Sequence, residues 1–248
     1  MFAEPGTYDQ IITMFSPDGR LLQVEYAIEA VNRGATVLGV SCPKGIVLGA
    51  EEHIQAELQN PNFGWKIHKV DDPVGAAVVG LVADARILID QARIDAQINR
   101  LTYDEPIDVE VLTKRIGDIK QLYTQHAGVR PFGVSIVFGG VDKTGNRLFA
   151  TDPSGSYRAY RAVALGYGRE VAETILDEEY HENLKLDEVI KLAVKCLVKA
   201  TEVQGKKLAV SIAVIPSETK RFRMLTAEEI KPYMRRVTRR GERNRRQK

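Results

Sequence analysis

The sequence predicts an α+β protein of four layers, in which two antiparallel sheets pack face to face and pairs of helices cover each outer side. Three observations lead there. Short β-rich runs occur in pairs joined by tight turns, which makes hairpins and antiparallel sheets rather than parallel crossovers. Helical stretches also come mostly in pairs, set between the hairpin groups. One of those helices carries two apolar stripes, too wide a face for a helix covered on one side only.

Residues 20–31 put Leu21, Val24, Ile28 and Val31 on one helical face, with Leu22 and Tyr26 beside them, behind a Ser16-Pro17-Asp18-Gly19 turn. The runs ATVLGVS and GIVLGAE follow, separated by CPKG, and then KIHKV and GAAVVG around Asp71-Asp72-Pro73. Each pair reads as a hairpin. The helix over 81–101 has one stripe at Leu81, Ala85, Leu88, Ala92 and Ala96 and another at Ile87, Ile94, Ile98 and Leu101. It should therefore touch the sheet with one flank and a second body with the other. After Pro106 a further helix takes its apolar positions from Val111, Leu112, Ile116, Ile119 and Tyr123. FGVSIVFGGV, RLFAT and YRAYRAVAL are strands joined by the DKTGN and DPSGS turns. Helices at about 169–180 and 186–203 come next, the second presenting Val189, Ala193, Cys196, Leu197 and Ala200 on one face. KLAVSIAVI and RFRML complete the strands, and TAEEIKPYMRRV is a last helix with Thr226 as N-cap and Glu228 and Glu229 in its first turn.

Composition excludes several classes of function. The 248 residues are 44% hydrophobic and 27% charged, ordinary for one globular body, and no Pro/Gly/Ser-rich linker divides them. A net charge of +2 is too near balance to call for a nucleic-acid partner. The eight basic residues of RRVTRRGERNRRQK have no interleaved aromatic for base stacking, so residues 238–248 read as a flexible, solvated tail. Cys42 and Cys196 lie far apart in apolar surroundings and read as buried free thiols of a reducing compartment. His53, His68, His126 and His181 have no metal-ligand spacing, and neither a metal nor a cofactor is expected. With no secretory signal and no apolar run of membrane-spanning length, the expectation is a soluble, cytoplasmic chain.

Residue types alone carry little chemistry. There is no P-loop, no GxSxG elbow and no CxxC, and the acids are too scattered to pick out a catalytic pair. GYGRE at 166–170 is a weak anion-binding signal that serves equally as a tight strand-to-helix turn. Lys66, beside Trp65 at the start of an apolar strand, is ordinarily a solvated lysine and less often a recognition cation. This reading stops at an α+β domain, with assembly into something larger as one option.

The blocks YDQIITMFSPDGRLLQVEYAIEAV, RGATVLGV, GLVADARILID, RPFGVS and DPSG, in this order, resemble the α subunits of the proteasome core particle from about Tyr8 to Val237. The resemblance implies a single domain over 1–237, with residues 1–19 as a gating tail and 20–31 as the N-terminal helix. It implies the N-terminal-nucleophile hydrolase fold, which is the four-layer architecture read above, and a seven-membered ring capping a barrel of β subunits. In those β subunits the nucleophile is an N-terminal threonine whose free amine helps activate its hydroxyl. Here Ala35, or else Gly34, aligns with it. Thr36 is one step late, and strand alternation turns its side chain to the other face. Lys66 aligns with the β active-site lysine but has no nucleophile beside it. The chain is thus expected to be non-catalytic; the alternative is an active peptidase related to the β subunits.

What the resemblance implies instead is control of admission to the barrel. Tyr8, Asp9, Pro17 and Tyr26 match the cluster that holds the gate open. Proline stiffens the turn, and two phenols with a carboxylate can form short hydrogen bonds between neighbouring tails. Tyr26 as helix-face packing is the plainer alternative. Lys66, Glu25, Gly80 and Leu81 match the pocket that receives the C-terminal tails of activators, including an ATPase ring. His126, Ala127, Gly128 and Val129 align with the pore constriction loop, where Gly128 would equally end a helix. Implied partners are other α subunits, β subunits, the ATPase ring and unfolded protein substrates, with no membrane and no nucleic acid. The sequence departs from archaeal-type relatives at Gln10 and Ile28, which often carry Arg, and at Trp65, usually Glu.

Overall fold

A computed structural model describes residues 13–52, 66–202 and 209–245. Helix α1 (Leu22–Asn32) leads into strands β1 (Val37–Cys42) and β2 (Gly45–Glu52), then β3 (Ile67–Asp71) and β4 (Val74–Gly80). Helices α2 (Val82–Tyr103) and α3 (Val109–Tyr123) precede β5 (Val134–Asp142), β6 (Gly145–Thr151), β7 (Tyr157–Ala159) and β8 (Ala162–Leu165). Helices α4 (Arg169–Glu179) and α5 (Leu186–Glu202), strands β9 (Ala209–Pro216) and β10 (Arg223–Met224), and helix α6 (Ala227–Arg245) complete the chain. The elements follow the sequence reading closely. One exception is α6, whose backbone remains helical beyond the expected boundary at Val237.

Two five-stranded sheets have the orders β10-β9-β2-β1-β8 and β3-β4-β5-β6-β7, and every pairing among the described residues is antiparallel. Strand alternation sorts the apolar side chains into separate cores. In β2, Ile46, Leu48 and Ala50 face the opposite sheet, while Val47 faces the helices; in β9, Ala213 and Ile215 face the sheet and Ile212 and Val214 the helices. The helix-side core of the first sheet is filled by α5, whose Val189, Ala193, Cys196, Leu197 and Ala200 are fully buried as expected. That of the second sheet is filled by α2 and α3 through Leu88, Ala92, Leu112 and Ile116. The layers are therefore helix, sheet, sheet, helix. Both cysteines are free and buried, and Thr226 closes a capping box with Glu229, each backbone amide bonded to the other's side chain at 2.8 and 3.3 Å. Among the described residues, no helix is long and apolar enough to cross a membrane.

Two details differ from the sequence reading. YRAYRAVAL is not one strand. β7 extends the second sheet as far as the Phe149–Ala159 pair, the Tyr160 amide still donates to Leu148, and then Arg161 passes its carbonyl to the Ser41 amide of the first sheet. The chain thus changes sheets at 160–161, because β1 offers an open edge to 162–165. In α3 the buried face is rotated from the expected one. Val111 is exposed, and Lys120 lies fully inside on the row of Leu112 and Ile116, donating to the Val134 carbonyl (2.9 Å) and Thr151 Oγ1 (2.7 Å). Helical spacing puts position 120 on the apolar row, but its residue type argues against it.

Candidate functional site

β1 begins where the resemblance locates a nucleophile. Ala35 is buried and has no hydroxyl, and its carbonyl accepts a 2.6 Å hydrogen bond from Lys66 Nζ. Burial drives the Lys66 pKa down to about 8, opposed by the nearby charges of Glu52 and Glu51. Thr36 is turned into the helix layer: it is fully buried, its Oγ1 accepts the Gly168 amide (3.1 Å) at the start of α4, and its own amide donates to Glu51 Oε2 (3.2 Å). A threonine hydrolase needs a hydroxyl with a free amine beside a lysine. Here the lysine meets a carbonyl, and the adjacent threonine hydroxyl is committed elsewhere.

Lys66 and Gly80 converge on this segment. The Lys66 carbonyl accepts the Val78 amide (2.8 Å), and Gly80, at the end of β4, lies against Gly34: a methyl on Gly34 would come within 3.1 Å of the Gly80 nitrogen. Gly80 has φ +116°, and a β-carbon there would stand 2.1 Å from the Gly133 carbonyl oxygen, so only glycine lets these backbones approach. Leu81 follows with its side chain 45% exposed and its amide donating to that same oxygen (2.9 Å). Glu25, the fourth expected member, is engaged on another side: Arg20 Nε donates to its Oε1 at 2.7 Å and Nη2 to its Oε2.

Of the expected gate residues, Tyr8 and Asp9 lie outside the described residues. Pro17 is exposed in a turn closed by the Gly19 amide on the Ser16 carbonyl (2.8 Å), and Tyr26 is exposed on α1. His126, Ala127 and Gly128 are exposed in the loop after α3, with Val129 half-buried. His126 Nδ1 donates to the Leu122 carbonyl at 2.9 Å, and Gly128 is left-handed at φ +86°.

The family model described as "Proteasome subunit" matches residues 31–215, and the N-terminal signature of the A-type proteasome subunits matches residues 8–30. The chain is 50% identical over 233 residues to the alpha proteasome subunit of Methanocaldococcus jannaschii, covering 94% of this chain and 89% of that one. It is 49% identical over 230 residues to that of Methanopyrus kandleri, covering 93% of each. Against that of Pyrococcus horikoshii the identity is 47% over 230 residues, with 93% of this chain and 88% of the other covered. The chain belongs to the proteasome α-subunit family.

Two further contacts in this proteasome α-type chain escape sequence reasoning. The Tyr167 amide donates to the Gly34 carbonyl (2.7 Å), which brings the GYGRE turn, and an exposed phenol, to the Ala35 segment; Gly168 there caps α4 through Thr36 rather than through an anion. Arg130 Nη1 and Nη2 reach Asp84 Oδ2 and Oδ1 at 2.6 and 2.8 Å, joining two stretches of chain 46 positions apart. A single sequence carries no signal that would pair them.

Proposed function

We propose that this chain is a non-catalytic subunit of the seven-membered outer ring of a proteasome core particle in the cytoplasm, which controls the passage of unfolded protein into a barrel of β subunits. The contact of Lys66 with the Ala35 carbonyl carries the non-catalytic reading: the lysine has a backbone acceptor where a hydrolase would have its nucleophile. Ring assembly has separate support. The outer stripe of α2 is unpacked in the single chain, with Ile87, Ile94, Ile98 and Leu101 exposed at 50, 51, 50 and 86%. A row of this size calls for a protein surface over it.

In the same reading, Tyr8, Asp9, Pro17 and Tyr26 form the gate. Lys66, Gly80 and Leu81, with Glu25, receive the C-terminal tails of an ATPase activator ring. Residues 126–129 form the pore constriction loop. Lys66 supplies a donor for a terminal carboxylate, and exposed Leu81 an apolar wall. A charged hydrogen bond contributes about 1.5–3 kcal/mol, so several tails must engage together to move a gate.

The test is coexpression with and without a β subunit, followed by particle imaging and peptidase assay. Rings without activity from this chain alone, and active barrels with the β subunit, are expected. Robust threonine-dependent hydrolysis by the isolated chain would overturn the proposal in favour of an active N-terminal-nucleophile peptidase.

A further inference from the structure

Asp84 and Arg130 belong to the blocks GLVADARILID and RPFGVS, and neither has a part in the gate, the pocket or the constriction loop as proposed. In the structure they meet. Asp84, buried in the first turn of α2, accepts both Arg130 guanidinium bonds and a third from the Gly133 amide at 2.9 Å. Burial acts to raise the Asp84 pKa, but the Arg130 and Gly133 hydrogen bonds and the Arg130 charge outweigh it and hold the carboxyl below its ordinary value. The Gly133 carbonyl in turn accepts the Leu81 amide, so the segment 130–133 is bound to the start of α2 from both sides of one residue.

Between α3 and this clamp stand residues 126–129. A methyl placed on Gly128 would meet no atom within 4 Å, and the described ties of this stretch are the His126–Leu122 bond on one side and the clamp on the other. We infer that Asp84 and Arg130 are positioning residues for the 126–129 loop: the clamp fixes where the loop stands relative to the start of α2, and so sets the opening offered to an unfolded polypeptide. This rests on the constriction-loop reading above. A bidentate guanidinium–carboxylate pair suits the task, because it fixes orientation as well as distance.

The test uses full-length chain assembled with its β subunit, carrying Asp84→Asn, Arg130→Ala or Arg130→Lys. The readout is the rate on an unfolded protein divided by the rate on a short peptide. That ratio should shift roughly three- to tenfold in Asp84→Asn and Arg130→Ala, and recover partly in Arg130→Lys, which keeps the charge without the fork. An unchanged ratio in assembled Asp84→Asn particles overturns the inference. If the variants do not assemble, amide hydrogen exchange of the full isolated chain decides. Exchange over 126–133 accelerated by roughly threefold or more, with the buried amides of α2 and α3 unaffected, supports the clamp, and equal exchange overturns it. Val129→Trp separates the two readings: if it leaves unfolded-protein hydrolysis unchanged, the constriction-loop assignment falls while the exchange result still judges the clamp.

Discussion

The ammonium of Lys66 lies 2.6 Å from the carbonyl oxygen of Ala35, in surroundings that lower its pKa to about 8. The side chain is charged at neutral pH and loses that charge under mildly alkaline conditions. If it captures the carboxylate of an activator tail, the affinity for a tail peptide should fall as the pH is raised from 7 to 9. Lys66→Arg, charged throughout this range, should abolish the pH dependence, and Lys66→Ala should abolish stimulated uptake while rings still form. Isothermal titration with the tail peptide checks the affinities, a stimulated-uptake assay on assembled particles checks the last, and a pH-independent affinity in the parent chain would contradict the pocket.

Lys120 gives a different pH signature. Desolvation lowers its pKa to about 7 in the folded chain, opposed by the charge of Asp152. The unfolded chain keeps that proton up to about 10.5. Between the two values the unfolded state binds more protons, so folding stability rises with pH across this window and is flat below it. In Lys120→Met this contribution is absent. The stability difference between variant and parent should therefore move in the parent's favour by roughly 3–5 kcal/mol between pH 7 and pH 10.5, measured by urea unfolding at each pH.

Gly80 and Gly128 are both at positive φ, but their surroundings differ. Gly80→Ala forces a methyl against the Gly133 carbonyl and should destabilise the chain by at least about 3 kcal/mol, lowering its Tm by several degrees. Gly128→Ala meets nothing and should lose only the left-handed penalty of about 1–2 kcal/mol. Thermal unfolding of the two variants side by side would show whether this difference is real.

Ile94→Glu and Ile98→Glu on the outer stripe of α2 should leave the stability of the isolated chain within about 0.5 kcal/mol, since both side chains are half-exposed there. Assembly with the β subunit should be lost. Light scattering and native mass spectrometry separate these outcomes, and full-sized barrels from the double variant would remove the stripe from any interface.

Much of the fold is legible in the sequence. Short, near-continuous apolar runs punctuated by turn residues locate the hairpins because both sheets are buried on two faces, and helical spacing locates the helices through the apolar row each turns to the core. The double stripe on 81–101 announces an unsatisfied surface. Lys120 escapes because residue type argues against the row its spacing puts it on, and the two hydrogen bonds that make its burial tolerable come from β5 and β6. The sheet change at 160–161 is hidden because YRAYRAVAL has no turn residue; the switch is imposed by the free edge of β1. At the site, Gly80 is found through the GLVADARILID block and Lys66 through its alignment with the family's lysine position, whereas the Arg20–Glu25 and Arg130–Asp84 pairs depend on backbone placement that composition does not encode.

That change of sheet also orders events in time. The second sheet is a meander of consecutive strands, complete once Ala159 has left the ribosome. The first joins Val37 to Leu165 and Gly45 to Pro216, so the β1–β2 hairpin must wait with one edge open until Leu165 and the other until Pro216 has been synthesised. Contacts this distant in sequence close slowly, and unpaired edges are where nascent chains stick together. The hairpin at 37–52, rather than the meander that follows it, is the stretch left with an unpaired edge longest during translation.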